Sequence, residues 1–289
     1  MLLPSIAGLT LFVVYPIAWV FRYCMYRYTG FGQPIHVGLS NFVRILTNDP
    51  KYWDTVLNSF IFAFGKLLVE LPLAFILAYI LARKFHGSSL FRTLFYLPSV
   101  LSVAIVGLVF SYIFAAYNGV VNEWLLSINI KDLLGMSVPI SWFSTRSMAL
   151  LISMIASIWQ NFGLNMLFFM TGLQSIPRDL YEAADIDGAN GTQRLFRITI
   201  PMLAPITQMV VMNAILGSLK IADLILTLTN GQPAGKSEVM MTYIYKQFFG
   251  RSTAASYGYA SALVIVTSVI LAIVAAVYLR TTKKASRIY

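Results

Sequence analysis

The chain has 289 residues, of which 58% are hydrophobic and only 11% are charged. An ordinary soluble domain is about half apolar and about a quarter charged, so this composition excludes a soluble globular protein and indicates an integral membrane protein. The net charge is +10, but the basic residues form no dense tract. Membrane lipids with anionic headgroups are therefore the expected partner, and nucleic acid is not.

Six apolar stretches are long enough to cross about 30 Å of hydrocarbon as helices. The sequence predicts spans near 2–21, 56–82, 93–116, 148–172, 204–228 and 257–279. The expected fold is therefore all-α, with residues 1–289 forming a single transmembrane domain.

Basic residues are about twice as dense in one set of connections as in the other, which places the denser set in the cytoplasm. The cytoplasmic set comprises residues 83–92, 173–203 and 280–289. The opposite connections are residues 22–55, 117–147 and 229–256. The C-terminus is then inside.

Two pairs of opposite charges lie inside predicted spans, Lys66 with Glu70 and Lys220 with Asp223. Charged side chains in a membrane are costly and indicate a function by default. The spacings i,i+4 and i,i+3, however, let each pair neutralise itself on one helix face. Each pair is therefore a candidate for a structural or interfacial role and for a position on a transport pathway.

Uncharged polar residues occur in the fourth and fifth spans. Gln160, Asn161 and Asn165 place amides on adjacent turns of the fourth span, and Asn213 and Ser218 lie in the fifth. An amide both donates and accepts hydrogen bonds, which suits a sugar with many hydroxyl groups. Polar residues also bond helices to one another in membrane bundles. Both interpretations of these polar residues, as part of a substrate pathway and as helix-packing contacts, stay open.

The connection 173–203 is the longest segment in the second half of the chain that cannot lie within a membrane. Asp179 or Asp185 can begin a helix there, because the helix dipole favours carboxylates at its N-terminus. Gly188 and Gly191 then break that helix, since glycine is poor in helix interiors and suits chain reversals.

A second short helix is predicted through Arg194 and Ile198. It is expected to stop before Pro201, because proline restricts the residue ahead of it. The result is a helix-break-helix unit in which Ala183 and Ala184 form a small surface that another molecule can approach closely. Such a surface fits a protein partner.

The same segment resembles a family motif. Its pattern is Glu182-Ala183-Ala184, three residues, Gly188, nine residues, Ile198, one residue and Ile200-Pro201. This is similar to the EAA loop of permease subunits of binding-protein-dependent ABC importers. The flanking IPRDLYEAA and IDGA resemble the carbohydrate, maltose-F-like branch, and the similarity extends over nearly the whole chain. Ile200 is a departure, because the family often has leucine there.

The resemblance implies a type I ABC importer permease fold with about six transmembrane helices and cytoplasmic coupling helices in the EAA loop. The residues that it implies for ATPase coupling are Glu182, Ala183, Ala184, Asp187, Gly188, Ile198 and Pro201. In the maltose branch, sugar contacts come from positions that correspond to Gln160, Asn161, Gly217, Ser218 and Ile221, although the residue types differ. With Asn165 and Asn213, these form the expected substrate pathway.

The implied partners are a second permease subunit in a heterodimer, two ATPase subunits, an extracytoplasmic substrate-binding protein and a sugar, with an oligosaccharide favoured. ATP and Mg would belong to the ATPases. The implied location is the bacterial inner (plasma) membrane.

No residue pattern in the chain indicates catalysis, a metal site or a nucleotide site. The Gly231–Ser237 segment has three residues between its glycines, whereas a phosphate-binding loop needs four. The chain is therefore expected to be no enzyme and to hold no cofactor.

The alternatives are a permease for glycerol phosphate or another non-sugar solute, a membrane enzyme and a lone channel. Co-purification of an ATPase would separate the permease from the last two.

Overall fold

The computed structural model describes residues 2–83, 85–128, 139–250 and 256–282. In these residues the one sheet is a two-stranded antiparallel ribbon, β1 (Tyr26–Arg27) with β2 (Ile35–His36). The helices are α1 (Leu3–Tyr23), α2 (Ser40–Thr47), α3 (Pro50–Ala82), α4 (Ser88–Val100), α5 (Val103–Ile113), α6 (Val120–Ser127), α7 (Arg146–Ser175), α8 (Arg178–Ile186), α9 (Gly191–Met202), α10 (Ala204–Leu219), α11 (Asp223–Leu228), α12 (Met240–Phe249) and α13 (Tyr257–Thr282).

Four helices, α1, α3, α7 and α13, are each long and apolar enough to cross a membrane. Two further spans are bent pairs, α4 with α5 and α9 with α10, which brings the number to as many as 6. The all-α membrane fold with about six spans is therefore confirmed. Most of the predicted cytoplasmic tail, from residue 283 onward, lies outside the described residues.

The third predicted span, 93–116, is not one helix. Helices α4 and α5 meet at 95°, because Leu101 and Ser102 between them are extended, with ψ 144° and 135°. Pro98 lies in the last turn before this break and has no N–H to donate, which weakens the helix there. The freed Leu101 carbonyl accepts a hydrogen bond from the side chain of Gln160. Irregular backbone at membrane depth is tolerated where protein satisfies it in this way.

The fifth predicted span, 204–228, is also interrupted. Helix α10 ends at Leu219 and α11 begins at Asp223, so that Lys220 and Asp223 stand on opposite sides of a break. No ion pair joins them in the described part of the chain, whose ion pairs lie elsewhere. The predicted self-neutralising pair is therefore wrong here, because it assumed a continuous helix.

The second helix of the cytoplasmic loop, α9, does not stop before Pro201 as predicted. It runs to Met202, and a wider π-helical turn, Leu195–Thr199, precedes the proline. Proline removes a backbone donor and clashes with the preceding turn of an α-helix. The wider turn relieves this conflict, and the chain bends only afterwards, by 66° between α9 and α10.

The centre of the bundle is the pair α3 and α7. Small residues on α3, Ala74 and Ala78, are fully buried against Met166 and Phe169 of α7. Helix α10 contributes Val210 to the same core. This packing brings the polar residues in the middle of α3 and α7 close to the breaks in the two bent spans.

Candidate functional site

Polar residues from four parts of the fold meet in one cavity of about 380 Å³. Its wall is formed by the middle of α3, the α4–α5 break, the middle of α7 and the α10–α11 break. Both helix breaks therefore open onto the same cavity. A polar cavity lined by irregular backbone inside a membrane bundle is a candidate solute site.

The structure brings nearly all of the predicted pathway residues to this wall. Those that line the cavity are Gln160, Asn161, Asn165, Asn213, Gly217 and Ile221. Ser218 does not: it is 0% exposed, and its hydroxyl has no hydrogen-bond partner among the described residues. Ser218 therefore packs inside the bundle and does not line this cavity, and its place on the pathway stays a prediction.

The amide groups on α7 line the cavity and are partly engaged by other parts of the protein. Gln160 donates to a backbone carbonyl at the α4–α5 break at 3.0 Å, and Asn161 donates to the carbonyl one turn earlier at 2.8 Å. Asn165 donates to the Glu70 carboxylate at 2.6 Å. Because these partners can only accept, the amide nitrogens must face them. Gln160 and Asn165 therefore each keep a second N–H and the amide oxygen, and the prediction that these amides both donate to and accept from a sugar stays a prediction.

All four charged residues that the sequence singled out lie on the cavity wall. Lys66 and Glu70 form the expected i,i+4 ion pair at 3.2 Å and are both buried. Lys220 and Asp223 are exposed on the wall formed by the α10–α11 break. The structure therefore places both pairs on the cavity, which the spacing alone had left open.

Several residues on the cavity wall were not predicted from the sequence. Ser99, Leu101 and Val103 reach the cavity because of the sharp bend between α4 and α5, and Ser157 and Leu164 complete the α7 side. Pro98 was the one available sign of that bend, since proline often ends a helix.

At the cytoplasmic end of α7, helices α8 and α9 form the predicted helix-break-helix unit. Gly188 has φ +71°, which residues with a side chain rarely adopt. Its N–H bonds the carbonyl of Asp185 at 3.1 Å, and the next N–H bonds that of Ala184 at 2.9 Å. This is the Schellman arrangement that ends a helix at a glycine. Gly191, by contrast, begins α9 rather than breaking α8, and Asn190 caps it with a capping box.

Two side-chain links hold α8 and α9 together. Asp185 forms an ion pair with Arg194, and the Tyr181 hydroxyl hydrogen-bonds that of Thr199 at 2.9 Å. Of the two carboxylates proposed to begin the helix, Asp179 lies in its first turn, whereas Asp185 lies near its end. The links therefore hold α8 and α9 against each other as one unit.

The EAA residues differ in exposure. Glu182, Ala183 and Asp187 are exposed, whereas Ala184 is only 8% exposed. The predicted pair of accessible alanines is therefore wrong for Ala184, which faces the protein interior. Ile198 and Pro201 are half-buried on α9.

Two large apolar side chains of the unit are open to solvent, Ile186 at 87% and Phe196 at 63%. Together with the exposed Glu182, they make a surface that is partly apolar and partly acidic. Exposed apolar residues on an otherwise polar projection are typical of a protein-binding surface.

At the opposite end of α7, the loop after α11 is anchored to the bundle. Buried Glu238 pairs with Lys246 at 2.8 Å and with Lys51 at 3.3 Å. The Asn58 amide donates to two carbonyls of this loop and accepts from Arg146. Sequence reasoning missed this cluster, because its members are far apart in the chain.

A second buried carboxylate at this end, Asp49, accepts a hydrogen bond from the Tyr243 hydroxyl at 2.8 Å. Burial, together with this hydrogen bond to an anion, raises the pKa of Tyr243 well above its usual range. The phenol therefore stays protonated and continues to donate, which helps to hold α12 against the start of α3.

Among the described residues, no group of three or more histidine, cysteine, aspartate or glutamate side chains is placed to hold a metal ion.

Relatives of known function match almost the full length of the chain. The lactose transport system permease protein LacF of Rhizobium radiobacter is 35% identical over 270 residues, which cover 92% of this chain and 88% of that protein. The trehalose/maltose transport system permease protein MalF of Thermococcus litoralis is 30% identical over 285 residues, which cover 97% and 91%.

The fold is also similar to a solved structure, that of a bacterial ABC transporter involved in the import of the acidic polysaccharide alginate. The TM-score is 0.82 at 23% identity, covering 98% of this chain and 94% of that chain. A family model described as the inner membrane component of binding-protein-dependent transport systems matches residues 70–287. The chain therefore belongs to the family of binding-protein-dependent transport system inner membrane components.

Proposed function

We propose that this chain is one of two permease subunits in an ATP-driven importer of a sugar, with an oligosaccharide favoured. The observation that carries the proposal is the cavity of about 380 Å³, on which six of the seven expected pathway residues converge. A cavity of this size with a few convergent polar groups suits a small hydrophilic ligand. The names of the two relatives, which specify lactose and trehalose/maltose, support a saccharide.

The partners follow from the family. An inner membrane component that depends on a binding protein receives its substrate from that protein. The second permease completes the pathway, and two ATPase subunits hold ATP and Mg on the cytoplasmic side. The EAA unit, with Glu182, Ile186 and Phe196 exposed, provides the surface that docks on an ATPase. ATP-driven closure of the ATPases then moves this unit and rocks the bundle between inward-facing and outward-facing states.

The test is uptake by the complete importer, purified with its partner subunits and binding protein and reconstituted into lipid vesicles containing ATP. The probes are radiolabelled lactose, maltose and trehalose, with glycerol 3-phosphate as the non-sugar probe. ATP-dependent accumulation of at least one disaccharide is expected. Accumulation of glycerol 3-phosphate alone, or equal flux without ATP, contradicts the proposal.

Replacing Asn161 by leucine is expected to lower the maximal uptake rate at least about tenfold, equivalent to about 1.4 kcal/mol, without reducing assembly. Uptake should fall because leucine removes the amide of Asn161 from the cavity wall. Assembly should not change because α7 is held in place by its packing against α3. The measurement compares uptake with the yield of permease–ATPase complex. Unchanged uptake would assign Asn161 to packing alone.

Replacing Ser218 by leucine is expected to reduce the yield of assembled complex instead. Ser218 is fully buried, and overpacking a filled site costs about 1–3 kcal/mol. The matched control is Ser218→Ala, which removes an unpartnered hydroxyl and should assemble at least as well as the wild type. A normal yield of the leucine variant with altered uptake would return Ser218 to the pathway.

A further inference from the structure

A chain of three polar residues crosses from α7 to α3 beside the cavity. The Asn165 amide donates to one oxygen of Glu70 at 2.6 Å, and the other oxygen of Glu70 lies 3.2 Å from the Lys66 ammonium. Glu70 is 0% exposed, whereas Lys66 is 5% exposed, and both line the cavity. Asn165 is 6% exposed and also lines the cavity, so Lys66 and Asn165 are the two members that a solute in the cavity can reach, whereas Glu70 is covered.

The amides on the wall are only partly committed to the protein. The amide nitrogens of Gln160 and Asn165 each donate one of their two N–H groups to a protein acceptor, and Asn161 donates to the carbonyl one turn earlier. A sugar hydroxyl has an oxygen that accepts as well as a proton that it donates, so a sugar site needs donors as well as acceptors. A charged donor makes a stronger hydrogen bond than a neutral amide, so an ammonium on the wall is the best donor for a sugar oxygen.

Besides the amides of α7, the donor groups on the wall include those of Asn213, Lys220 and Lys66. Asn213 and Lys220 are exposed. Lys66 is buried, and within the described ranges it has an ion-pair partner in Glu70 and no hydrogen bond to another residue. An ammonium carries three donors, so two of them are available to a ligand from a position that the protein already fixes.

We propose that Lys66 is a specificity-determining residue that donates hydrogen bonds to a hydroxyl oxygen of the transported saccharide. Glu70 and Asn165 are positioning residues that hold its ammonium beside the cavity. The inference rests on the proposed function, because it requires a saccharide in this cavity. The two cations on the wall, Lys66 and Lys220, are matched in number by the two anions Glu70 and Asp223, so the cavity has no net positive charge to favour a uronate and the ligand is a neutral polyhydroxy compound.

Helix packing alone does not require the ion pair. The α3–α7 contact is already formed by apolar residues, among them Ala74 and Met166. A buried ion pair generally stabilises a fold no better than apolar residues of the same size. The pair also faces the polar cavity, whereas neighbouring residues of α3 such as Phe64 and Leu68 are exposed on its outer side.

The test uses three variants of the complete importer. Lys66→Met leaves Glu70 as an uncompensated buried charge, so loss of assembly is expected. The double variant Lys66→Met with Glu70→Gln removes both charges, and the glutamine oxygen can still accept from Asn165. Lys66→Arg keeps both the charge and the donors, and the adjacent cavity has room for the larger group.

Assembly is measured as complex yield and basal ATP hydrolysis. Transport is measured as the maximal uptake rate of lactose, maltose and trehalose with saturating binding protein, because that protein sets the affinity for free sugar. The double variant is expected to assemble like the wild type and to transport at least tenfold more slowly. Lys66→Arg is expected to assemble and to keep most of the uptake.

The outcomes separate this inference from the proposed function. If the double variant regains both assembly and uptake, the pair only balances charge and the inference is wrong. If the double variant fails to assemble, the pair is structural and the inference is equally wrong. Uptake of an alginate trisaccharide but of no neutral probe by the wild type would overturn the assignment to a neutral ligand. A wild type that carries no saccharide at all overturns the proposed function, and the inference with it.

Discussion

Replacing Gly188 by valine is expected to abolish ATP-coupled uptake while the transmembrane helices still insert. Gly188 ends helix α8 at φ +71°, and the two hydrogen bonds of the Schellman arrangement depend on that conformation. A residue with a side chain loses roughly 1–2 kcal/mol in this region, and a β-branched residue tolerates it least. Valine would therefore unwind the end of α8 and displace α9.

The destabilisation by valine would come from backbone strain and not from steric crowding, since a Cβ on Gly188 would meet no atom within 4 Å. This distinction supplies a matched control. Asparagine adopts positive φ readily, as Asn118 (φ 55°) and Asn230 (φ 48°) do in this chain. Gly188→Asn should therefore retain most of the coupled uptake. If the asparagine and valine variants fail equally, the backbone conformation is not the cause.

Glu182→Ala is expected to impair coupling by a different route. Glu182 is exposed and makes no hydrogen bond or ion pair within the described residues, so its removal leaves the shape of the unit intact. The loss would fall on a charge-assisted hydrogen bond to a basic residue of the ATPase, of the kind worth about 1.5–3 kcal/mol.

One measurement serves both coupling variants. Each permease is affinity-purified, and the amount of retained ATPase and the stimulation of ATP hydrolysis by loaded binding protein are determined. Wild-type retention and stimulation in both Gly188→Val and Glu182→Ala would show that the EAA unit is not the coupling element.

The sequence predicted the helix content, the spans and the reversal at Gly188, because each depends on local composition. Apolar length determines whether a helix can cross the membrane, and glycine determines where a tight reversal can occur. Six of the seven residues that the sequence predicted for a substrate pathway lie on the cavity wall, because polar residues in two spans and the family resemblance pointed to the same region.

The breaks in the third and fifth spans could not be predicted in the same way. A hydropathy window averages over the break, and the extended residues Leu101 and Ser102 are no less suited to a helix than their neighbours. The break is stable because Gln160, distant in sequence, bonds the freed Leu101 carbonyl. The i,i+3 pairing of Lys220 with Asp223 failed because its geometry depended on a continuous helix, whereas the helix is interrupted between Leu219 and Asp223.

Replacing Gly163 by alanine is expected to cost the complex most of its stability and uptake. A Cβ built on Gly163 would lie 1.9 Å from the backbone oxygen of Phe95 and 3.0 Å from the Cα of Tyr96. Both are backbone atoms of helix α4, so a rotamer change cannot relieve the clash. Helix α4 would have to move by roughly 1.5 Å to reach an ordinary contact distance.

That movement would also disturb the cavity. Gln160, one turn before Gly163, bonds the carbonyl at the α4–α5 break, and the hydroxyl of Ser99 bonds the Gln160 carbonyl at 2.7 Å. Both bonds stretch when α4 moves away from α7. Overpacking typically costs about 1–3 kcal/mol, and a rigid backbone neighbour places this site at the upper end of that range.

Gly65→Ala is the matched control for Gly163→Ala, because Gly65 is also a glycine within a spanning helix. Its Cβ would lie 2.9 Å from the sulfur of Met154, the far end of a flexible side chain that can turn away. The Gly65 variant should therefore keep nearly wild-type melting temperature and uptake, whereas the Gly163 variant should lose both. If the Gly163 variant also kept wild-type melting temperature and uptake, α4 would have to move freely against α7, and the Gln160 bond could then not be what holds the break open onto the cavity. If the Gly65 variant lost both as well, the effect would not depend on the rigid backbone neighbour.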